Sequence, residues 1–345
     1  MTQKSNKIAG GCLSIVLMIM MSVIVFALLY SLGFTNTITA FASLVISSFF
    51  VRAMLKQVRE KGRYRYTFPI LFVSILVIGF GIFMYKASTL TSGTYTFEKE
   101  DVIVADTIQI AEVRVPVLSA KRSWRDNSGN NFQGTLSVRE EDHLRLENLS
   151  AQYTSSSYDQ YFWGDLYDFL EQRSNSSLDL LYTTFETIGK ERGLNRIEFA
   201  DMVTSCIQDI PYSLVFENIC MSADQYEEKT IRDVLRDCPE CCVGNKAYGI
   251  QAPVEFIATL KGDCDSRTVL IYSILKHFGY DVAILNSDEY RHSILGLNVP
   301  ASGKFKAHGG KRYYVWETTS KYFNLGQLAP GMENLMYWDI VLLSK

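Results

Sequence analysis

Residues 11–34, GCLSIVLMIMMSVIVFALLYSLGF, carry no charged side chain. A helix of that length, at about 1.5 Å per residue, can cross a hydrocarbon core of ~30 Å. A cleaved signal peptide fits poorly, because its apolar region is shorter and no further apolar runs should follow it. A lipid anchor at Cys12 fits poorly as well, since Cys12 precedes the apolar run. Two more runs follow, FPILFVSILVIGFGIFMY at 68–85 and the shorter ITAFASLVISSFFV at 38–51. The sequence therefore predicts about three transmembrane helices, over 11–34, 37–54 and 67–86.

Charge gives these spans a direction. Six basic residues and one acid lie between Arg52 and Arg65, and Lys4 and Lys7 precede the first span. Basic loops stay on the cytoplasmic face. Three spans put the basic tail and the basic loop on the same side, whereas two spans would separate them. The expectation is a multi-pass membrane protein, with the lipid bilayer as a partner and its C-terminal domain on the extracytoplasmic side.

The net charge of −3 over 345 residues hides this asymmetry. Residues 1–90 hold nine basic side chains and one acid, Glu60, for a net +8, so the remainder carries −11. An acidic remainder has no basic footprint for nucleic acid. A hydrophobic fraction of 48% excludes disorder as the main state. Seven cysteines are too few for a fold built mainly on disulfides.

Residues 91–152 alternate apolar and polar positions in segments such as DVIVAD, IAEVRVPVL and GTLSVRE, with a turn at DNSGNN. They read as a small β-rich subdomain. Residues 153–345 read as a second domain. Helical spacing covers about 158–172, 177–191 and 196–208, and Pro211 ends the third helix. Cys238, Cys241 and Cys242 cluster further on. Disulfides, with Cys206 or Cys220 as further partners, are favoured over a zinc site. Zinc needs four ligands, no His stands near in sequence, and the adjacent Cys241 and Cys242 should not pair with each other.

The chemistry points to residues 261–285, KGDCDSRTVLIYSILKHFGYDVAIL. Gly262 and Asp263 form a turn, an apolar stripe predicts a helix over about 264–278, and Gly279 stops it. Cys264 then sits at a helix N-terminus, where the macrodipole favours an anion and lowers a thiol pKa. A thiolate nucleophile needs a base and a group to orient that base. His292 opens a strand in YRHSILGLNV, and Glu317 lies in a second strand, RYYVWET. If the strands pair antiparallel, with Val299 near Lys311 or Arg312, His292 falls close to Glu317. His277 reads as a surface residue, and His308 lies at a hairpin tip.

These residues resemble the transglutaminase-like superfamily, which has a papain-like cysteine fold. Gly262-Asp263-Cys264-Asp265 matches the Gly-x-Cys turn that opens a helix. Arg291-His292-Ser293 matches the His block. Trp316-Glu317-Thr318-Thr319 matches the acidic block, where the family more often has Asp followed by Pro-Thr. CIQDIPY at 206–212 and APVEF at 252–256 are similar to the lead-in segments of bacterial members. The resemblance spans about 155–320. It implies a transglutaminase-like α+β core and a Cys264–His292–Glu317 triad acting on amide or acyl bonds of a peptide or protein substrate, by hydrolysis or transfer. It also implies Gln208 as an oxyanion donor, and neither a cofactor nor a metal. The same fold as a non-catalytic binding or assembly module is the alternative, and a redox role for Cys238–Cys242 a third.

Overall fold

The computed structural model describes residues 102–155 and 159–344, all within one compact unit. Strands β1 (Val104–Ile110), β2 (Val113–Arg125) and β3 (Asn131–Arg139) form an antiparallel sheet in that order. The β1–β2 hairpin turns through Ala111 and Glu112, both with positive φ, as a two-residue hairpin loop requires. Asp126 closes the next turn by accepting from the Asn130 N–H and side-chain amide.

Helices follow. Three acids, Glu140, Glu141 and Asp142, open α1 (Glu140–Leu146), where the helix dipole favours negative charge. Next come α2 (Phe162–Ser174), α3 (Asp179–Arg192) and α4 (Arg196–Asp209). Gly193 ends α3 in the left-handed conformation, and Asn195 with Glu198 forms a capping box on α4. A short parallel pair, β4 (Leu214–Val215) and β5 (Cys242–Val243), flanks α5 (Lys229–Asp237). Helices α6 (Pro253–Thr259) and α7 (Cys264–His277) lead into strands β6 (Val282–Ser287), β7 (His292–Leu297), β8 (Phe305–His308), β9 (Lys311–Trp316) and β10 (Asp339–Leu343).

These five strands make one antiparallel sheet, ordered β10-β6-β7-β9-β8. Alternation along each strand sorts its side chains onto two faces. Val282, Ile284, Leu295, Leu297 and Trp316 join the main core with Val269, Leu270 and Ile274 of α7. Ala283, Leu285, Ile294, Tyr313 and Val315 pack with Trp338 on the other face.

This architecture corrects the expected fold class. Among the described residues no helix is long and apolar enough to cross a membrane. The described helices run to at most 14 residues, about 21 Å, short of a ~30 Å hydrocarbon core. The described part is a mixed α/β domain with a curled sheet, in place of transmembrane helices joined to an α+β domain. The predicted spans 11–34, 37–54 and 67–86 lie outside the described residues. Nor does the first sheet stand apart as a subdomain. Trp124, Phe132, Leu136 and Val138 belong to the main core. Trp124 meets Phe185 edge-on at 6.4 Å and donates to the Met202 carbonyl at 3.0 Å.

Candidate active site

Cys264 is the first residue of α7, and Asp263 caps the helix, accepting from the N–H of Ser266 at 3.1 Å and its hydroxyl at 2.9 Å. The turn before it needs Gly262: a Cβ there would lie 2.3 Å from the Phe256 ring. Arg267, wholly buried one turn on, holds this turn to the end of α4. Its guanidinium donates to the carbonyls of Gly262 (3.0 Å), Ile207 (2.8 Å), Ile210 (2.7 Å) and Pro211 (2.6 Å). Sequence reasoning passed over Arg267, although a cation within an otherwise apolar helix stripe was a legible signal.

His292 opens β7, and its Nε2 lies 3.1 and 3.0 Å from the two oxygens of Glu317. The observed register pairs Leu295 with Trp316 and Leu297 with Tyr314. Continued one step, it sets Glu317 opposite Ile294, diagonal to His292 on the same face. Glu317 sits just past the end of β9, and its Oε1 also accepts from the N–H groups of Thr318 (3.0 Å) and Thr319 (2.9 Å) and from the Thr319 hydroxyl (2.7 Å). The longer glutamate is thereby fixed by its own following turn. Trp338 meets the His292 ring edge-on, with centroids 5.9 Å apart.

Burial works against a charge on His292, but the hydrogen bond and negative charge of Glu317, joined by Asp265 and Asp263, raise its pKa overall. Burial likewise favours a neutral Glu317, yet His292 and the Thr319 donors bring its pKa below the ordinary value. The two thus stabilise each other as an ion pair.

Cys264 behaves differently from the sequence expectation. Burial, then the carboxylates of Asp265 and Asp263, push its thiol well up, against hydrogen bonds from the backbone and hydroxyl of Ser293. The helix dipole is worth up to about 2 kcal/mol on a partly buried anion, and against burial and the neighbouring acids it leaves the shift upward. The resting thiol is therefore neutral. The residue is 8% exposed, and no hydrogen bond among the described residues joins its sulfur to His292. Ser293, the sequence neighbour of His292, bridges the two.

Gln208 is not placed as an oxyanion donor. Its amide N–H groups go to the Glu317 carbonyl at 2.6 Å and the Phe323 carbonyl at 3.4 Å, while its Oε1 is buried and has no partner. Those bonds tie it to the backbone of the acidic turn. Tyr167, not singled out from sequence, donates to Asp265 at 2.6 Å and is buried beside the nucleophile turn.

Disulfides join Cys220 to Cys242 and Cys238 to Cys241, leaving Cys206 and Cys264 as thiols among the described residues. Among the described residues no group of His, Cys, Asp and Glu side chains is arranged to hold a metal ion. A cavity of about 790 Å³ lies on the first sheet, lined by residues such as Val104, Lys121, Gln133 and Thr135 and by none of the site residues. Comparison of the chain with protein-family models, curated proteins and solved structures found no match.

Proposed function

We propose that this chain is a thiol enzyme that cleaves or transfers amide or acyl bonds of a peptide or protein substrate. The carrying observation is the His292–Glu317 pair, made through Nε2 on the strand that Thr268 of α7 bonds to, with Cys264 at the start of that helix. Glu317 fixes the ring and stabilises its charged form. With His292 in its neutral form, Cys264 attacks a carbonyl carbon and its proton passes to His292 Nδ1 while the S–C bond forms, giving the imidazolium that Glu317 stabilises. First-turn amides of a helix lack intrahelical acceptors, so the N–H groups at Cys264 and Asp265 are the natural oxyanion donors. His292 then returns the proton to the leaving amine as the C–N bond breaks, giving a thioester. Water or an amine completes the cycle and restores the thiol.

The sequence resemblance to transglutaminase-like proteins supports the same reading. The two disulfides support an oxidising, extracytoplasmic setting. The second reading, a non-catalytic binding or assembly module, is favoured by one observation, the neutral and largely buried thiol.

An activated ester separates them. p-Nitrophenyl acetate should give a burst of about one equivalent of nitrophenolate and an acetyl group on Cys264, found by peptide mass spectrometry. Cys264→Ala and His292→Ala should abolish both. No burst from the wild-type chain, or a burst that survives His292→Ala, would favour the binding module.

A further inference from the structure

Three buried hydroxyls meet beneath the proposed triad. Thr268 lies one turn after Cys264 on α7, Ser293 follows His292 on β7, and Thr318 follows Glu317. All three are fully buried. The Thr268 and Thr318 hydroxyls lie 2.9 Å apart. Thr268 Oγ1 donates to the Ser293 carbonyl at 3.3 Å, and the Ser293 hydroxyl reaches Thr268 Oγ1 at 3.4 Å.

A hydroxyl has one proton and two lone pairs. The Thr268 proton goes to the Ser293 carbonyl, so its oxygen accepts from Thr318, and the one proton of the Ser293 hydroxyl is shared between Thr268 Oγ1 and the Cys264 sulfur. The contacts to Ser293 end on the strand that carries His292 and the contact to Thr318 on the turn that carries Glu317, while Thr268 itself stands on the helix that Cys264 opens. Arg267 and Gln208 fasten this region to α4 from outside. Among the described residues Thr268 alone joins the helix, the strand and the acidic turn to one another.

We propose that Thr268 is a positioning residue, whose hydroxyl fixes Cys264, His292 and Glu317 relative to one another. The inference rests on the triad reading above. Reaction rates are sensitive to such placement: a shift of about 1 Å in a reacting group can cost ~10²-fold. Thr268→Val keeps shape and removes all three bonds, so the helix and strand lose register without creating a cavity.

The test is the rate of Cys264 acetylation by p-nitrophenyl acetate across pH 5–9, on the full chain. Thr268→Val should keep a full burst amplitude and slow the burst about tenfold. The midpoint of its acid limb should move to lower pH, because a loosened Glu317 no longer supports the imidazolium. Thr268→Ser should restore rate and midpoint. Thr318→Val, which deletes the 2.9 Å bond from the turn side, should move the midpoint the same way and decides the matter should Thr268→Val not fold. A wild-type rate and midpoint in Thr268→Val, or a Thr318→Val variant with an unmoved midpoint, would overturn the proposal. So would a Thr268→Ser variant as slow as Thr268→Val. These results would leave the triad standing, provided His292→Ala still abolishes the burst. A wild-type chain without a burst would remove the triad reading itself, and this proposal with it.

Discussion

Replacing Glu317 with Gln tests the electrostatics of the site in isolation. Gln keeps an oxygen able to accept from His292 Nε2 but removes the charge. In the wild type the ring nitrogen lies 3.0 Å from the nearer carboxylate oxygen, and the two side chains are 10% and 1% exposed. At an effective dielectric of ~20, charges about 4 Å apart attract by about 4 kcal/mol. Glu317 supplies the two largest upward influences on His292, its hydrogen bond and its charge. With Glu317 gone, burial is the largest influence on His292 and lowers its pKa. The His292 midpoint should therefore fall. The chain has four His, so NMR titration of histidine-labelled protein resolves the ring, with His292→Ala identifying its signal.

Stability follows with a definite sign. The raised His292 pKa contributes stability that is complete below about 6.5, the ordinary value, and is lost as pH rises through the folded value. The lowered Glu317 pKa contributes stability that is complete above about 4.5 and is lost as pH falls through its folded value. Glu317→Gln should therefore cost most between about pH 4.5 and 6.5. An unmoved or raised His292 midpoint, or a loss of stability that grows above pH 7, would refute the reasoning.

Three further outcomes are expected. Asp265→Asn keeps an acceptor for the Tyr167 hydroxyl and removes the acid that, after burial, does most to push the thiol up, so alkylation of Cys264 at pH 7 should rise roughly threefold or more; a slower reaction would contradict this. Gln208→Ala takes the donor from the buried Glu317 carbonyl and should cost about 1–3 kcal/mol in denaturant unfolding, with acylation reduced less than about tenfold. A ~10²-fold loss of acylation at unchanged stability would restore its oxyanion role. Opening the Cys220–Cys242 disulfide, which spans 22 positions, should lower stability by about 3 kcal/mol, seen by comparing unfolding of Cys220→Ser/Cys242→Ser with wild type.

Much of the site was legible because its signals are local. Gly262, Asp263 and the apolar stripe after Cys264 placed α7 to within a residue of its observed end. Turn residues between 300 and 311 and the alternation around them placed β7 and β9, and the pairing of Leu297 with Tyr314 agrees with Val299 near Arg312. What escaped depends on distant groups. β8 was read as loop, and β10 lies at the far end of the chain yet pairs with β6 at the sheet edge. The neutrality of Cys264 arises from burial and from two neighbouring acids, whose effect exceeds the dipole argument. Gln208 has the spacing of an oxyanion donor, but the acidic turn claims its N–H groups. Helical and alternating patterns could not reveal that the first sheet shares a core with α3 and α4, which only the contacts of Trp124 make plain.

The central claim is that His292 takes the proton of Cys264. Site-resolved alkylation by iodoacetamide between pH 5 and 9 measures this directly, with Cys206, whose burial pushes its pKa up to about 12, as the internal unactivated thiol. Cys264 should react faster than Cys206, and His292→Ala should slow it at least tenfold at pH 7. Equal rates and pH dependence at Cys264 in wild type and His292→Ala would contradict the account.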